Sequence, residues 1–162
     1  MHIYVYDSFL ANKKYDSIVA KIETRITDLG LNGKIIRLSM LQSLHDSIKD
    51  EIKKGAKTIV AVGDNRLLHQ CINAVISFYS SSIDLPIVPV GFIPNGSKNT
   101  DLAERLGIPS GINACNILSA RRIEQLDLGM VNSSLFLSEA TIQTTGTSIK
   151  VDNSYSIEIN EA

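Results

Sequence analysis

Residues 58–75 read TIVAVGDNRLLHQCINAV, and this stretch decides the fold. Its first five residues are an apolar run, which is typical of a central parallel strand covered on both faces. A turn at 63–66 follows, and the apolar spacing after the turn predicts a helix at 66–79. A buried strand, a tight turn and a helix are the usual framework of ligand sites in α/β proteins.

Strand and helix patterns alternate on both sides of this stretch. β-branched and aromatic residues predict strands at 2–7, 34–38 and 85–93, the last of which contains two prolines that favour a sheet edge or irregular pairing. Apolar spacing predicts helices at 15–29, 43–54, 101–106 and 112–120. This alternation implies βαβ units. The predicted fold class is therefore α/β: a Rossmann-like, three-layer αβα domain with a mostly parallel sheet.

The pattern changes after residue 120. Strand-like segments at 121–128 and 134–138 are followed by alternating polar and apolar residues at 140–150 and 154–160, around an Asp-Asn turn signal at 152–153. We therefore predict a nucleotide-binding α/β domain at 1–138. Residues 139–162 are predicted to form a β-hairpin that starts a truncated or abbreviated second domain.

Composition excludes several classes of protein. The 16 basic and 17 acidic residues give a net charge of −1, which offers no electrostatic reason to expect nucleic-acid binding. No apolar run approaches the roughly 20 residues of a membrane span, and the N-terminus has no basic region typical of a secretory signal. The two cysteines and three histidines lack metal-ligand spacing. Two distant cysteines suit a reducing compartment, so we predict a cytoplasmic protein.

Loops that follow strands are the candidate ligand sites, because ligands of parallel sheets bind beyond the carboxyl ends of the strands. The loops at 7–12, 39–40, 63–66 and 94–100 should therefore share one edge. At 63–66 the helix N-terminus favours anions and Arg66 offers a bidentate fork, whereas Asp64 would repel phosphate. The alternative is that Asp64 or Asn65 simply caps the helix.

The loop at 94–100 offers a second set of polar groups. Gly96, Ser97, Lys98 and Asn99 supply backbone donors, a hydroxyl, a cation and an amide, which suit a phosphate or a ribose and equally an ordinary surface loop. No catalytic triad or nucleophile–base pair can be assembled from the sequence. The catalytic residues therefore stay unassigned.

Three segments resemble the catalytic domain of diacylglycerol kinases, in the superfamily that also contains NAD kinases and sphingosine kinases. IVAVGDNRLLHQCINAV resembles the segment with the Gly-Gly-Asp-Gly-Thr signature. VGFIPNGSKNTDLAERLGIP resembles the second signature, Pro-x-Gly-Thr-x-Asn-Asp with a helix closed by Leu-Gly-Ile-Pro. ARRIEQLDLGMVNSSLFLS resembles the strand pair that begins with Arg-x-Ile-Asp-Leu-Gly. In this order they account for most of residues 1–138.

The resemblance implies an ATP-binding domain of a lipid phosphotransferase, which phosphorylates a lipid hydroxyl with ATP and Mg²⁺ as cofactors. It also implies a lipid substrate at the membrane surface if a second domain is present. The residues expected to contact the nucleotide are Asp7, Ser8, Ser39, Gly63, Asp64, Asn65, Arg66, Gly96, Ser97, Lys98 and Asn99.

The chain departs from the family at the first signature. Without gaps, the signature falls on residues 63–67, where the aspartate position is Asn65 and the threonine position is Leu67. A shift of one residue places Asp64 on the aspartate and Val62 on a glycine. Both registers lack two glycines, which let a backbone approach a ligand closely, and the threonine hydroxyl. The alternative function is therefore a degenerate, non-catalytic relative that acts as a regulatory or interaction module.

Length is the second departure. Family members carry a β-sandwich domain after the nucleotide domain, and a carboxylate of that domain is implicated as the base. Residues 139–162 have room for one hairpin of it, so we expect either a piece of a longer protein or a stand-alone relative that completes its sheet by association. A homo-oligomer, and a different phosphorylated ligand bound through Arg66 and Lys98, are open alternatives.

Overall fold

The computed structural model describes residues 1–38, 43–80, 87–96, 100–141, 146–152 and 154–159. The chain divides into two compact units, Met1–Asp127 and Leu128–Ala162. The sequence placed its domain boundary at residue 138, ten residues or so after this division, and the assignment of domains stays a prediction.

A four-stranded sheet forms the centre of the first unit. Its strands are β1 (His2–Tyr6), β2 (Gly33–Arg37), β3 (Thr58–Gly63) and β4 (Val90–Pro94). The order is β2-β1-β3-β4, and all three neighbouring pairs are parallel. Because the chain moves outward to β2 on one side and to β4 on the other, the strand order reverses between β1 and β3. Such a reversal opens a crevice at the carboxyl ends of the two strands.

Helices cover both faces of the sheet. The helices are α1 (Asp16–Asp28), α2 (Leu44–Lys53), α3 (Asn65–Tyr79), α4 (Asp101–Arg105) and α5 (Ile112–Ser119). On one face α1 and α5 contact each other and share a core with Tyr4 and Tyr6 of β1. Alternation along β1 turns Ile3 and Val5 to the opposite face, where both are fully buried and where α2 contacts α3. The three-layer α/β prediction is confirmed.

The sequence prediction is wrong for the strand at 121–128. Residues 122–128 have no regular structure, and Ile123 and Leu126 are mostly exposed. The alternation of apolar residues was real, but within the described residues no neighbouring strand pairs with this segment. The strand predicted at 85–93 is β4, which begins one residue after Pro89 and is an outer strand of the described sheet.

The strands in the described part of the second unit form two hairpins. Strand β5 (Gly129–Val131) pairs with β6 (Ser134–Phe136), and β7 (Thr147–Val151) pairs with β8 (Tyr155–Ile159), both antiparallel. The predicted hairpin around 152–153 is present, and Asp152 adopts the left-handed φ of 46° that such turns require.

Candidate functional site

The carboxyl ends of three strands meet at one edge of the sheet. The backbone N–H of Asp7, just after β1, donates to the carbonyl of Val62 in β3 at 3.0 Å. The N–H of Asn95, just after β4, donates to the carbonyl of Gly63 at 2.8 Å. The loops that follow β1, β3 and β4 therefore lie side by side. We call the space beside Asp7 and residues 63–66 the switch-point crevice.

Asp7 is a buried charged residue at the base of this crevice. Its side chain is only 4% exposed. The carboxylate accepts hydrogen bonds from the hydroxyl of Ser8 at 3.3 Å and from the N–H of Phe9 at 3.4 Å, because Asp7 caps the 3₁₀ turn Ser8–Ala11. Its Oδ2 lies 3.7 Å from Nη2 of Arg66. A buried charge needs hydrogen-bond or ion-pair partners. The three contacts of Asp7 supply them, but at distances that are long for such interactions.

Gly63 is the residue that lets the loops after β1 and β3 approach each other. A Cβ built on Gly63 would lie 2.8 Å from Cβ of Asp7 and 3.4 Å from its Oδ2. The Asp7 side chain thus lies directly against the Gly63 backbone. The glycine is required here for close approach, and the group that approaches it is a side chain of the protein itself.

Asp64 caps helix α3, which confirms the alternative that Asp64 or Asn65 is the N-cap residue. Its Oδ1 accepts a hydrogen bond from the N–H of Leu67 at 3.0 Å, and its φ and ψ are extended. The start of an α-helix leaves four N–H groups outside the helical ladder, and Asp64 takes one of them. Arg66, in the same turn, is 66% exposed and points its guanidinium towards Asp7.

Asn65 links the β3 turn to helix α4. Its Nδ2 donates to Oδ1 of Asp101 at 2.8 Å, which fixes the orientation of the amide. Its Oδ1 is then a buried acceptor with no partner among the described residues, and the Nδ2 of Asn95 is likewise a buried donor without one. Buried unpaired polar atoms are uncommon and suit a polar ligand. The sequence missed Asn95, although its place directly after β4 was the available signal.

The structure distinguishes the two registers of the signature. In the ungapped register the threonine position is Leu67, which is fully buried in the core and cannot present a hydroxyl to a ligand. In the shifted register the threonine position is Arg66, which is exposed beside the crevice. The shifted register, with Asp64 on the aspartate position, therefore fits the geometry of the turn.

Not every predicted site residue falls within the described part of the chain. The structure brings together Asp7, Gly63, Asp64, Asn65 and Arg66. Gly96 follows Asn95 with a positive φ of 134°, a conformation that favours glycine, and Ser8 is exposed beside Asp7. The predicted residues that lie outside the described residues are Ser39, Ser97, Lys98 and Asn99. The ligand-binding role of the whole set stays a prediction.

The negative charge of Asp7 acts on Cys71 in helix α3. Burial raises the pKa of the Cys71 thiol to about 12, and the negative charge of Asp7 contributes to the rise as the second cause. Cys71 lies in the second turn of α3, so the field of Asp7 reaches the N-terminal part of this helix. Burial also raises the pKa of the phenol of Tyr6, which ends β1.

A groove of about 640 Å³ lies along β2 and α2, and none of the residues that line it belongs to the crevice. Its floor contains Glu51, which is buried and accepts hydrogen bonds from Lys34 at 2.7 Å and Lys54 at 3.2 Å. The hydrogen bond from Lys34 is the largest cause that holds the pKa of Glu51 below its ordinary value. This ion network joins α2 to the edge of the sheet, and we assign it a structural role.

Two features are absent from the described residues, a cluster of metal ligands and a membrane-spanning helix. No group of three or more His, Cys, Asp or Glu side chains in those residues is arranged to hold a metal ion. None of the helices described there combines the length and apolar character that crossing a membrane requires.

A family model described as the diacylglycerol kinase catalytic domain matches residues 4–131, which is most of the chain. The chain belongs to this family. The match begins within β1, contains the crevice and ends at the last residue of β5, in agreement with the resemblance in the sequence. No curated protein sequence matches the chain.

Solved structures of this family share the fold. A diacylglycerol kinase from Bacillus anthracis str. Sterne superposes with a TM-score of 0.65 at 18% sequence identity, over 84% of this chain and 49% of the other. A second structure of this kind from the same strain gives a TM-score of 0.64 at 19% identity, over 84% and 46% of the two chains. This chain therefore spans about half the length of the solved structures that it matches.

Proposed function

We propose that this chain is the nucleotide-binding domain of a diacylglycerol-kinase-type phosphotransferase, which binds the phosphates of ATP at the switch-point crevice. The proposal rests on one observation in a chain of this family: the loops that follow β1, β3 and β4 lie side by side at the crevice. The phosphorylated acceptor in this proposal is a lipid hydroxyl, and that part rests on family membership alone. Free, buried Cys71 and Cys115 support a reducing compartment such as the cytoplasm.

The residues around the crevice suit parts of such a ligand. Arg66 and the N–H groups at the start of α3 would hold phosphate oxygens. The unpaired amide atoms of Asn65 and Asn95 would bind further polar groups of the nucleotide. Mg²⁺ would neutralise phosphate charge and enter bound to phosphate oxygens while keeping several of its waters, so it needs few protein ligands. Asp7 is the group that does not suit a phosphate, because its charge repels it.

Calorimetric titration with ATP and Mg²⁺ tests the proposal. We expect heat of binding and a rise in melting temperature at millimolar nucleotide. Arg66→Gln should weaken binding about tenfold or more, because it removes a charged partner of phosphate. Arg122→Gln, at an arginine that is 81% exposed and pairs with Glu124, removes the same charge elsewhere and should change little. A wild-type protein that shows neither heat nor a melting shift would refute nucleotide binding.

A second candidate is the non-catalytic regulatory or interaction module. The observation that favours it is the use of both carboxylates at the crevice within the protein: Asp7 contacts Arg66, and Asp64 caps α3. The double variant Asn65→Gly with Arg66→Thr restores the signature in the register that fits the structure, except for its first glycine, where Val62 stands. If this variant gains ATP binding that the wild type lacks, the module is favoured. If the wild type binds at least as tightly, the loss of the signature is not the explanation.

A further inference from the structure

We infer that Asp7 lowers the affinity of the crevice for phosphate: its carboxylate competes with a bound phosphate for Arg66 and for the space beside Gly63. The inference deepens the proposed function and rests on it, because it states how this chain regulates its own phosphate site.

The Asp7 side chain occupies the space beside Gly63 that a phosphate would need. The fold places its ligand crevice between β1 and β3, at the carboxyl ends of the strands where the order reverses. In this chain the side chain of Asp7 fills the part of the crevice that lies against Gly63, with Oδ2 3.4 Å from the position of an added Cβ. A phosphate oxygen could approach the Gly63 backbone only if the carboxylate moved aside.

The charge of Asp7 engages the arginine that a phosphate would need. Asp7 is almost fully buried, and its partners are two long hydrogen bonds and one guanidinium at 3.7 Å. Arg66 is the cation that a phosphate at the start of α3 would use, and in this structure it is directed to Asp7 instead. Because Arg66 is mostly exposed, it can turn from Asp7 to a ligand. That movement would leave the Asp7 charge buried with fewer partners, and this cost lowers the affinity for phosphate.

The electrostatic field of Asp7 also acts independently of Arg66. The negative charge of Asp7 contributes, after burial, to the raised pKa of Cys71 in the second turn of α3. The same field acts on any anion placed at the first turn of that helix. It opposes the helix dipole, which otherwise favours an anion there.

Titration with inorganic pyrophosphate tests the inference, because pyrophosphate needs no site for an adenosine. The variant Asp7→Asn removes the charge and keeps a side-chain oxygen for the N–H of Phe9. Its matched control is Asp28→Asn, which removes the same charge from an exposed residue at the far end of α1. Asp7→Ser, which also keeps a capping oxygen, replaces Asp7→Asn if circular dichroism shows that the latter has lost its helices.

We expect Asp7→Asn to bind pyrophosphate about tenfold tighter or more than the wild type at low ionic strength, with Asp28→Asn within about twofold of the wild type. Adding Arg66→Gln to Asp7→Asn should reduce the gain, because the competition for Arg66 is then absent and only the effect of the Asp7 field remains. The inference is overturned if Asp7→Asn and the wild type bind alike, if neither binds, or if Asp28→Asn gains as much.

Parallel titrations with ATP separate this inference from the proposed function. If Asp7→Asn binds pyrophosphate more tightly than the wild type but neither protein binds ATP, the role of Asp7 is supported and the proposal that ATP is the ligand is refuted. Binding of ATP by the wild type, with no gain for pyrophosphate in Asp7→Asn, would keep the nucleotide and overturn the role of Asp7.

Discussion

Replacing Gly63 by alanine tests the close contact on which the crevice depends. The new Cβ would lie 2.8 Å from Cβ of Asp7 and 3.1 Å from Cδ2 of Leu67. Carbon atoms prefer separations of about 3.5–4.0 Å, so the overlap with Asp7 is about 1 Å. Asp7 cannot move freely, because its N–H is bonded to Val62. Overpacking of this kind costs about 1–3 kcal/mol, and the entropic advantage of alanine over glycine in the unfolded chain returns about 0.4–1 kcal/mol.

The expected net loss in the free energy of unfolding is therefore about 1–2 kcal/mol, measured by urea denaturation with an unchanged slope. Gly91→Ala is the control, because its Cβ would meet first the flexible end of Leu118, at 3.0 Å, and should change stability by less than about 0.5 kcal/mol. Asp7→Gly should reduce the cost of Gly63→Ala in a double-mutant cycle. Equal effects of the two glycine variants would refute the argument that Asp7 is fixed against Gly63.

Three further predictions concern other parts of the first unit. Asp64→Ala should lower the free energy of unfolding by about 0.5–2 kcal/mol through loss of the α3 cap, and a urea midpoint equal to that of the wild type would contradict the cap. Lys34→Met should cost about 1–3 kcal/mol at neutral pH, since it removes the closest partner of buried Glu51. Because the pKa of Glu51 is lowered in the folded protein, its ion pairs stabilise the fold fully above the ordinary glutamate pKa of about 4.3, and this stabilisation is lost as the pH falls through the folded pKa. The difference in the free energy of unfolding between Lys34→Met and wild type should therefore shrink below about pH 4 in an acid denaturation series. Cys71, with its pKa raised to about 12, should resist a thiol reagent until the protein unfolds, and labelling of the native protein at the unfolded rate would show that the thiol is accessible.

Local patterns were sufficient to predict most of the fold. The apolar run at 58–62 has the composition of a strand buried on both faces, and it became β3 at the centre of the sheet. The two prolines in 85–93 indicated an edge or irregular pairing, because proline cannot donate to a ladder, and β4, which begins after them, is an outer strand of the described sheet. The segment at 121–128 had an equally good alternation, but a strand exists only beside a partner, and pairing with a partner is not a local property of the sequence.

The candidate site was predictable only in part for the same reason. That Asp64 or Asn65 caps α3 follows from the residue types, and the structure selected Asp64. The contact of Asp7 with Arg66 and the bond of Asn65 to Asp101 join residues far apart in sequence. Both depend on which strands are neighbours, and no motif in the sequence fixes that order. The roles of these residues towards a ligand remain predictions of the proposed function.

The most direct test of the central claim is a two-dimensional ¹⁵N–¹H NMR titration of the wild-type protein with ATP and Mg²⁺. We expect the resonances of the backbone amides of Asn65 and Arg66 and of the side-chain amide of Asn95 to shift with increasing nucleotide, while those of amides along the β2–α2 groove, such as that of Glu51, stay in place. Saturating shifts confined to the groove, or no shifts at millimolar nucleotide, would contradict binding at the switch-point crevice.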